Sequence, residues 1–318
     1  MFKWLAKKSR KLKRTCTGWT SSRTFRCSQL KVQAHGGGVA DRQSRIPGFF
    51  QERLSDLDVL CIGAGGLGSH IGEALVRKGV GRLVICDGDT VHPSNLNRQK
   101  FYAADLWKPK GVRLAKNLSS EGFLGTEITG INMNFSEAVQ SGLVPGFDLI
   151  MSNVDNDLSR ERIAEFGLMC DAAVITTAVS EDGDAAYCAI QRPGEACWGC
   201  MHPREKRIRD DLANYRRPCP GSPAIKDVLM LVAALAVYAV DAVCMGRPIA
   251  WNYRELRLAG FMPSVVANVE KRDNCQLCGP ALKDPVRAPK ARTTGPQDGG
   301  AHARTRAGDR EPDPNKRS

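Results

Sequence analysis

Through the middle of the chain, short apolar runs alternate with polar and glycine-rich stretches. Residues 58–62 (DVLCI) and 82–86 (RLVIC) are apolar runs of strand length. Between them, residues 69–78 place apolar side chains at helical spacing and stop at Gly79, a residue suited to a left-handed helix end. The rhythm continues with a helix over 110–119, strands over 127–131 and 147–152, a helix over 158–169 and a strand over 173–177. Residues 187–191 and 255–258 read as later strands. Between those two lies the longest apolar run, residues 228–240, bounded by Asp227 and Asp241. It falls short of the about 20 residues that cross a bilayer, so it reads as a buried core helix and no transmembrane span is expected. Strands alternating with helices predict an α/β class, a Rossmann-like and mostly parallel sheet with helices on both faces. No internal repeat is evident.

Charge changes the picture at the two ends only. The 318 residues carry a formal net charge of +12, which on its own invites a nucleic-acid reading. Residues 1–31, however, hold ten of the basic residues and no acid, and residues 283–318 hold nine basic and five acidic ones. The body between them is nearly neutral, so nucleic-acid binding by the folded body is not expected. Residues 1–40, rich in Lys, Arg, Ser and Thr and ending in Gly36-Gly37-Gly38, read as a basic flexible arm and also resemble a transit peptide. Residues 41–283 read as the folded domain and 284–318 as a disordered tail. The basic start lacks the apolar stretch of an export signal, so a cytoplasmic location is expected. The 12 cysteines are then thiols or metal ligands rather than disulfides.

Gly63-Ala64-Gly65-Gly66-Leu67-Gly68 fits G-x-G-x-x-G between a strand and a helix. In that setting the first glycine permits a tight turn, the second lets backbone approach phosphate, and the third lets helix and strand pack closely. The helix start then offers N–H groups and a positive dipole end to an anion. Asp87 ends the next strand, where an acid would bind ribose. NAD and ATP both suit such a turn. The residues that follow favour ATP: Asp87-Gly88-Asp89, then Ser94-Asn95-Leu96-Asn97-Arg98-Gln99, then Lys108-Pro109-Lys110, and later Asn153-Val154-Asp155-Asn156. An NAD-dependent oxidoreductase would leave Asn95, Arg98 and Lys110 without a task.

In the order of these motifs, residues 41–280 resemble the ThiF/MoeB/ubiquitin-activating enzyme superfamily. The resemblance implies an ATP-dependent adenylyltransferase. Its members activate the C-terminal carboxylate of a β-grasp protein, a ubiquitin-like modifier or sulfur carrier ending in Gly-Gly. The carboxylate attacks the α-phosphate, giving an acyl-adenylate and pyrophosphate. A carboxylate is already ionised at neutral pH, so the task is to gather negative charge, for which Arg, Lys, Mg²⁺ and backbone N–H groups are suited. By the same resemblance, Gly63, Gly65, Gly66, Leu67, Gly68, Asp87 and Asp89 bind nucleotide. Asn95, Arg98 and Lys110 face the phosphates, with Lys108 competing for the role of Lys110. Asp155 is associated with Mg²⁺, unless it merely caps the following helix. Arg42-Gln43-Ser44-Arg45-Ile46-Pro47-Gly48 resembles the segment that sends an arginine into a partner subunit's site. This implies a homodimer, with Arg45 favoured over Arg42. Trp107 stands where the family often has glycine.

Cys197-x-x-Cys200 and Cys275-x-x-Cys278 are two pairs with the spacing of zinc knuckles. Four thiolates leave no open position, so the expected zinc is structural and stabilises a C-terminal strand and helix extension. His202 lies close enough to compete as a ligand. Cys219, beside Arg216 and Arg217 and between the two pairs, stands in the position from which relatives form a thioester or persulfide. A conjugating enzyme or a sulfur donor would then be a further partner. Adenylation of another carboxylate, on a peptide or a modified tRNA nucleoside, and a non-catalytic zinc scaffold are the competing readings.

Overall fold

A computed structural model describes residues 22–29, 38–144, 147–180, 182–203, 224–260 and 263–279. Within them, β2 (Asp58–Ile62), β3 (Arg82–Cys86), β4 (Glu127–Ile131), β5 (Leu149–Ser152) and β6 (Ala173–Val179) are parallel neighbours. β7 (Ala185–Gln191), β8 (Tyr253–Arg257) and β9 (Val265–Ala267) continue the sheet antiparallel. With β1 (Ser22–Arg26) at one edge, the order is β1-β4-β3-β2-β5-β6-β7-β8-β9.

Alternation along each strand sorts side chains into two cores. In β2, Val59 and Cys61 face one layer while Leu60 and Ile62 face the other. The first layer is built by α3 (Gly66–Lys78), α4 (Lys110–Ser119) and α8 (Lys226–Met245), through residues such as Ile71, Leu114 and Val232. The second is covered by α5 (Phe135–Gln140) and α6 (Asp157–Cys170), with Ala138 and Ile163 turned inward. A separate small cluster gathers around α7 (Trp198–Met201). Two short helices, α1 (Asp41–Ser44) and α2 (Gln51–Ser55), lead into β2.

Four of the expected elements, 58–62, 82–86, 110–119 and 127–131, have the bounds that the sequence predicts. Three differences are informative. First, α3 begins at Gly66, inside the glycine motif rather than after it. Second, the apolar run extends to a helix of 20 residues, long and apolar enough to cross a membrane by length and composition. Its buried face, including Val232, Ala236 and Val240, lies in the core, while Met230, Leu231 and Tyr238 are exposed. Third, residues 22–26 of the expected flexible arm are a strand. β1 (Ser22–Arg26) pairs antiparallel with β4 along all five residues. Phe25 packs against the core, buried Cys27 donates its N–H to the Thr126 carbonyl, and Thr24 and Thr129 share a hydroxyl hydrogen bond. Alternating small, polar and aromatic residues amid basic ones hid the strand. Partner β4, rather than intrinsic propensity, makes it form. The other expectations for 1–21, 30–37 and the C-terminal tail lie outside the described residues.

Candidate functional site

Strand order reverses between β2 and β5, because the chain runs from β2 towards β3 and β4 on one side and from β5 towards β6 on the other. In such sheets a crevice opens beyond the C-terminal strand ends at this point. The glycine turn follows β2 there. Gly63 has φ +91°, and a side chain on it would lie 2.7 Å from the Asn153 carbonyl oxygen after β5. At Gly68 a side chain would lie 1.8 Å from the Gly63 carbonyl oxygen, and at Gly66 2.5 Å from Leu229 Cδ1. Two glycines therefore sit inside the first turn of α3 because the turn folds back on it. Gly65, by contrast, has open space where a side chain would be, so the backbone is approachable there. The first N–H groups of α3 lack partners within the helix and point into the crevice end.

Asp87 joins the turn to the next loop. Its Oδ2 accepts from Ala64 N at 2.6 Å and its Oδ1 from Asp89 N at 2.8 Å. Burial pushes the Asp87 carboxyl above its usual range, while the two N–H bonds and nearby Lys110 pull the other way. Asp89 in turn accepts from Lys110 Nζ at 2.9 Å and, through its carbonyl, from Lys110 N at 2.8 Å. Only 11% of the Lys110 side chain is exposed. Lys108 instead turns outward and donates to the Ala104 carbonyl, so Lys110 is the lysine that stands beside the two aspartates.

Asn95 is buried and accepts the His92 N–H, closing the 3-10 turn Pro93–Asn95. It shapes the loop that carries Arg98. The Arg98 guanidinium is held by Ser94 O and Asn97 Oδ1. His70, buried on α3, contacts the Arg98 carbonyl through Nε2 at 3.0 Å. That oxygen only accepts, so Nε2 carries the proton, and burial keeps the imidazole pKa below its usual value. His70 thus fixes the Arg98 loop to the helix that starts at the glycine turn. No motif distinguishes it in the sequence.

Across the crevice, Thr177 donates to Asn153 Oδ1 at 2.7 Å and steadies the segment leading to Asp155. Asp155 is exposed, and its Oδ1 accepts from Asn156 Nδ2 at 3.3 Å. The cap of α6 is Asn156, which accepts the Ser159 N–H, so Asp155 does not serve the helix. Arg45 pairs with Asp41 on its own turn, with 63% of its side chain exposed, and Arg42 is more exposed still. Cys219, Arg216 and Arg217 lie outside the described residues.

Trp107 holds a backbone conformation that glycine adopts freely, in keeping with the glycine that the resemblance leads one to expect there. It has φ +63°, a left-handed conformation that costs a non-glycine residue about 1–2 kcal/mol. The indole, 65% exposed, meets His92 edge-on at 5.1 Å.

The four knuckle cysteines meet with all Sγ atoms within 4.8 Å of one another. Measured Sγ separations are 3.9 Å for Cys197–Cys200, 3.5 Å for Cys197–Cys275 and 3.4 Å for Cys200–Cys278. A tetrahedral zinc with Zn–S near 2.3 Å requires sulfurs about 3.8 Å apart, so this donor set fits zinc. Gly199 lets the second knuckle approach, since a side chain there would lie 2.7 Å from Leu277 Cδ1. Burial raises the Cys275 thiol, but the Cys278 and Leu277 N–H groups and the neighbouring thiols outweigh it and bring it to about 7. The Arg272 N–H points at Cys200 Sγ. Among the described residues His202 is no part of the set: it stacks on Trp198 at 5.0 Å.

The ThiF family model matches residues 40–277. The chain belongs to the ThiF family. Like other ThiF-family members, it is an ATP-dependent adenylyltransferase of the type that activates ubiquitin-like proteins. It is 27% identical to the sulfur carrier protein ThiS adenylyltransferase of Escherichia coli K12 over 239 residues, covering 74% of this chain and 91% of that one. It is 31% identical to ubiquitin-like modifier-activating enzyme 5 of Dictyostelium discoideum over 198 residues, covering 58% and 52%. Among solved structures, E. coli MccB with MccA-N7isoAsn superposes with a TM-score of 0.61 at 19% identity, covering 72% of this chain and 69% of that one. This likeness supports the ThiF-type fold.

Proposed function

We propose that the protein adenylates the C-terminal carboxylate of a β-grasp carrier, a ubiquitin-like or sulfur-carrier protein ending in Gly-Gly, in the cytoplasm. The observation that carries this reading is the linked set of glycine turn, Asp87, Asp89 and Lys110 beside the Arg98 loop at the strand-order reversal. ATP would lay its phosphates along the start of α3, with Asp87 at the ribose. Arg98 and Lys110 would balance charge as the carboxylate oxygen bonds the α-phosphorus and the bond to pyrophosphate breaks. Asp155, exposed and not engaged as a cap, would hold Mg²⁺, which neutralises phosphate charge when bound. Carrier-driven exchange of pyrophosphate into ATP tests the reading, with each Gly-Gly carrier of the source organism supplied in turn. Exchange with none of them would reject it. Cys219→Ala is expected to keep full exchange and to lose any reducible conjugate with the carrier. A conjugate that persists would remove Cys219 from covalent transfer to a conjugating enzyme or sulfur donor.

A homodimer completes the proposed site. Gln43 donates to the Lys78 carbonyl, at the far end of α3 from the glycine turn. Thirteen helical residues separate those ends by about 18 Å at 1.5 Å per residue. An arginine two positions from Gln43 does not bridge that distance to its own site, so Arg45 would serve the site of a second copy. Arg45→Ala and Lys110→Ala are each expected to be inactive alone. Mixed and allowed to exchange subunits, they should regain about a quarter of wild-type exchange, because half the dimers then carry one intact site of two. A mixture that stays inactive would place Arg45 outside the partner's site; the same pairing with Arg42→Ala separates the two arginines.

A further inference from the structure

The longest helix among the described residues exposes an apolar face. α8 turns Val232, Ala236 and Val240 into the core. Its other side carries Met230, Leu231, Ala234 and Tyr238, all exposed, with Leu235 half-buried beside them. Spacings of three and four align these side chains in one stripe. A contiguous exposed apolar stripe of this kind marks an interaction surface. Its place in the fold shows what covers it. α8 lies alongside α3 and runs in the same direction: Leu229 meets Gly66 at the glycine turn, and Asp241 pairs with Lys78 at the far end, with the same offset in number. In that register Gly72, midway along α3, is level with Leu235, and the stripe from Met230 to Tyr238 is centred at this level. The stripe is thus centred midway between the glycine turn and the end of α3 where Gln43 holds the Arg45 segment. That segment continues the apolar surface. Ile46 and Phe50 are exposed, the Arg53 guanidinium lies over the Phe50 ring, and Arg53 donates to the Met245 carbonyl at the end of α8.

We propose that this stripe is the subunit interface, with α8 packed antiparallel on its copy about a two-fold axis that crosses both helices at Ala234 and Leu235. The inference rests on the reading in which Arg45 serves the site of a second copy, and it names the surface that delivers it. Symmetry selects the arrangement. Two copies packed face to face through the same patch have their two-fold axis in the interface. An axis along α8 makes the two helices parallel and leaves Arg45 beside the partner's Lys78, at the end away from the phosphates. An axis across α8 reverses the direction and carries the Arg45 segment to the partner's glycine turn. An axis at the midpoint exchanges the two ends, and the midpoint is where the stripe is centred. Leu231 then faces the partner's Tyr238, and the small Ala234 at the crossing lets the helix axes approach closely. α8 has the length and hydropathy to cross a membrane, but one side of it already belongs to the core, which leaves a single stripe to be covered.

Cross-links in the full chain read the axis directly. A residue beside it meets its own copy, so Ala234→Cys should give a disulfide-linked dimer on oxidation with copper-phenanthroline, above the background of the unaltered chain. Tyr238 and its copy are offset by about 10 Å along the helices, so Tyr238→Cys alone should not link. Mixed with Leu231→Cys and allowed to exchange subunits, it should link to that variant. Leu231→Glu combined with Tyr238→Glu, both on the exposed side, should halve the mass measured by light scattering and keep Tm. The same double variant should lower carrier-driven exchange at least about a hundredfold, as for loss of a charge-stabilising group. A monomeric unaltered chain, or a double variant that keeps its mass, overturns the proposal. So does a Tyr238→Cys chain that links to itself as readily as Ala234→Cys, which would make the helices parallel. An unchanged mass with a raised carrier KM would assign the stripe to the carrier, and sedimentation of only the unaltered chain with phosphatidylcholine vesicles would assign it to lipid; either result overturns the proposal. If the double variant loses Tm, the cysteine pattern decides. If no carrier drives exchange in the unaltered protein, the activation reading fails, while mass and cross-links still decide the interface.

Discussion

Arg98→Ala is expected to lower carrier-driven ATP–pyrophosphate exchange by at least about a hundredfold, the usual loss when a charge-stabilising donor is removed from a reacting phosphate or oxyanion. Asp155→Ala should abolish exchange to a comparable degree. Both substitutions are clean probes because neither side chain holds the fold together. The Arg98 loop is kept in place by its backbone carbonyl on His70 and by the Asn95 turn, and both contacts survive loss of the guanidinium. Asp155 caps no helix, a task that Asn156 performs. Thermal unfolding should therefore shift little in either variant, by the equivalent of about 0.5 kcal/mol, as for surface substitutions in general. Full exchange in either would remove that residue from the site. A loss of exchange accompanied by a large drop in Tm would mean that the loop was disturbed and the role undetermined by that variant. Arg98→Lys then decides: a residue acting only as a point charge should be partly rescued, one acting through two guanidinium donors should not.

The second large effect concerns the thiolate cluster. Metal analysis of the purified protein should give one zinc per chain. Cys200→Ser, or a strong chelator, should remove it and lower Tm by about 10 °C, corresponding to roughly 3–5 kcal/mol in a domain of this size. The size of the effect follows from what the knuckles hold. Cys197 stands at the N-terminal cap of α7 and Cys200 within it; the Trp198 N–H of this helix is accepted by Gln191 of β7, and Gln191 in turn donates to the Ala164 carbonyl of α6. Cys275 and Cys278 bring in a segment 78 residues away in sequence. Without metal, three buried thiols and the half-buried Cys278 remain and the small cluster around them loses its centre. A chain that contains no zinc and keeps its Tm in chelator would show the cysteines to be ordinary core residues. Because the proposed nucleotide site lies at the strand ends after β2, β3 and β5, ATP binding should outlast metal loss below the new Tm.

Much of this architecture is legible in the sequence because burial on both faces leaves strands as uninterrupted apolar runs. β2 to β4 and the helix after Lys108 could be bounded to the residue. Helix starts were less visible. Gly66 and Gly68 are poor helix formers by propensity, yet they begin α3 because any larger side chain would collide with Leu229 or the Gly63 carbonyl. Tertiary crowding, which no local pattern records, decides that boundary. The candidate site divides in the same way. Asp87, Asp89 and Lys110 have the spacing of a motif and do come together. His70 and Thr177 have no such spacing. They matter through a backbone carbonyl and a side-chain amide that only folding brings near. The knuckle cysteines, 78 residues apart, are the opposite case: chemistry announces a contact that distance along the chain obscures. Arg45 illustrates a limit of another sort, since its proposed destination is a different copy of the molecule.

β1 has one more consequence. With it in place, β4 is an interior strand and its outward N–H and C=O groups are paired. A chain trimmed to the family-matched residues would present that row bare, as a template on which any extended peptide can add itself. β1 is thus the selvedge of the sheet, and cutting the chain at residue 40 would unravel a boundary as well as remove a charge.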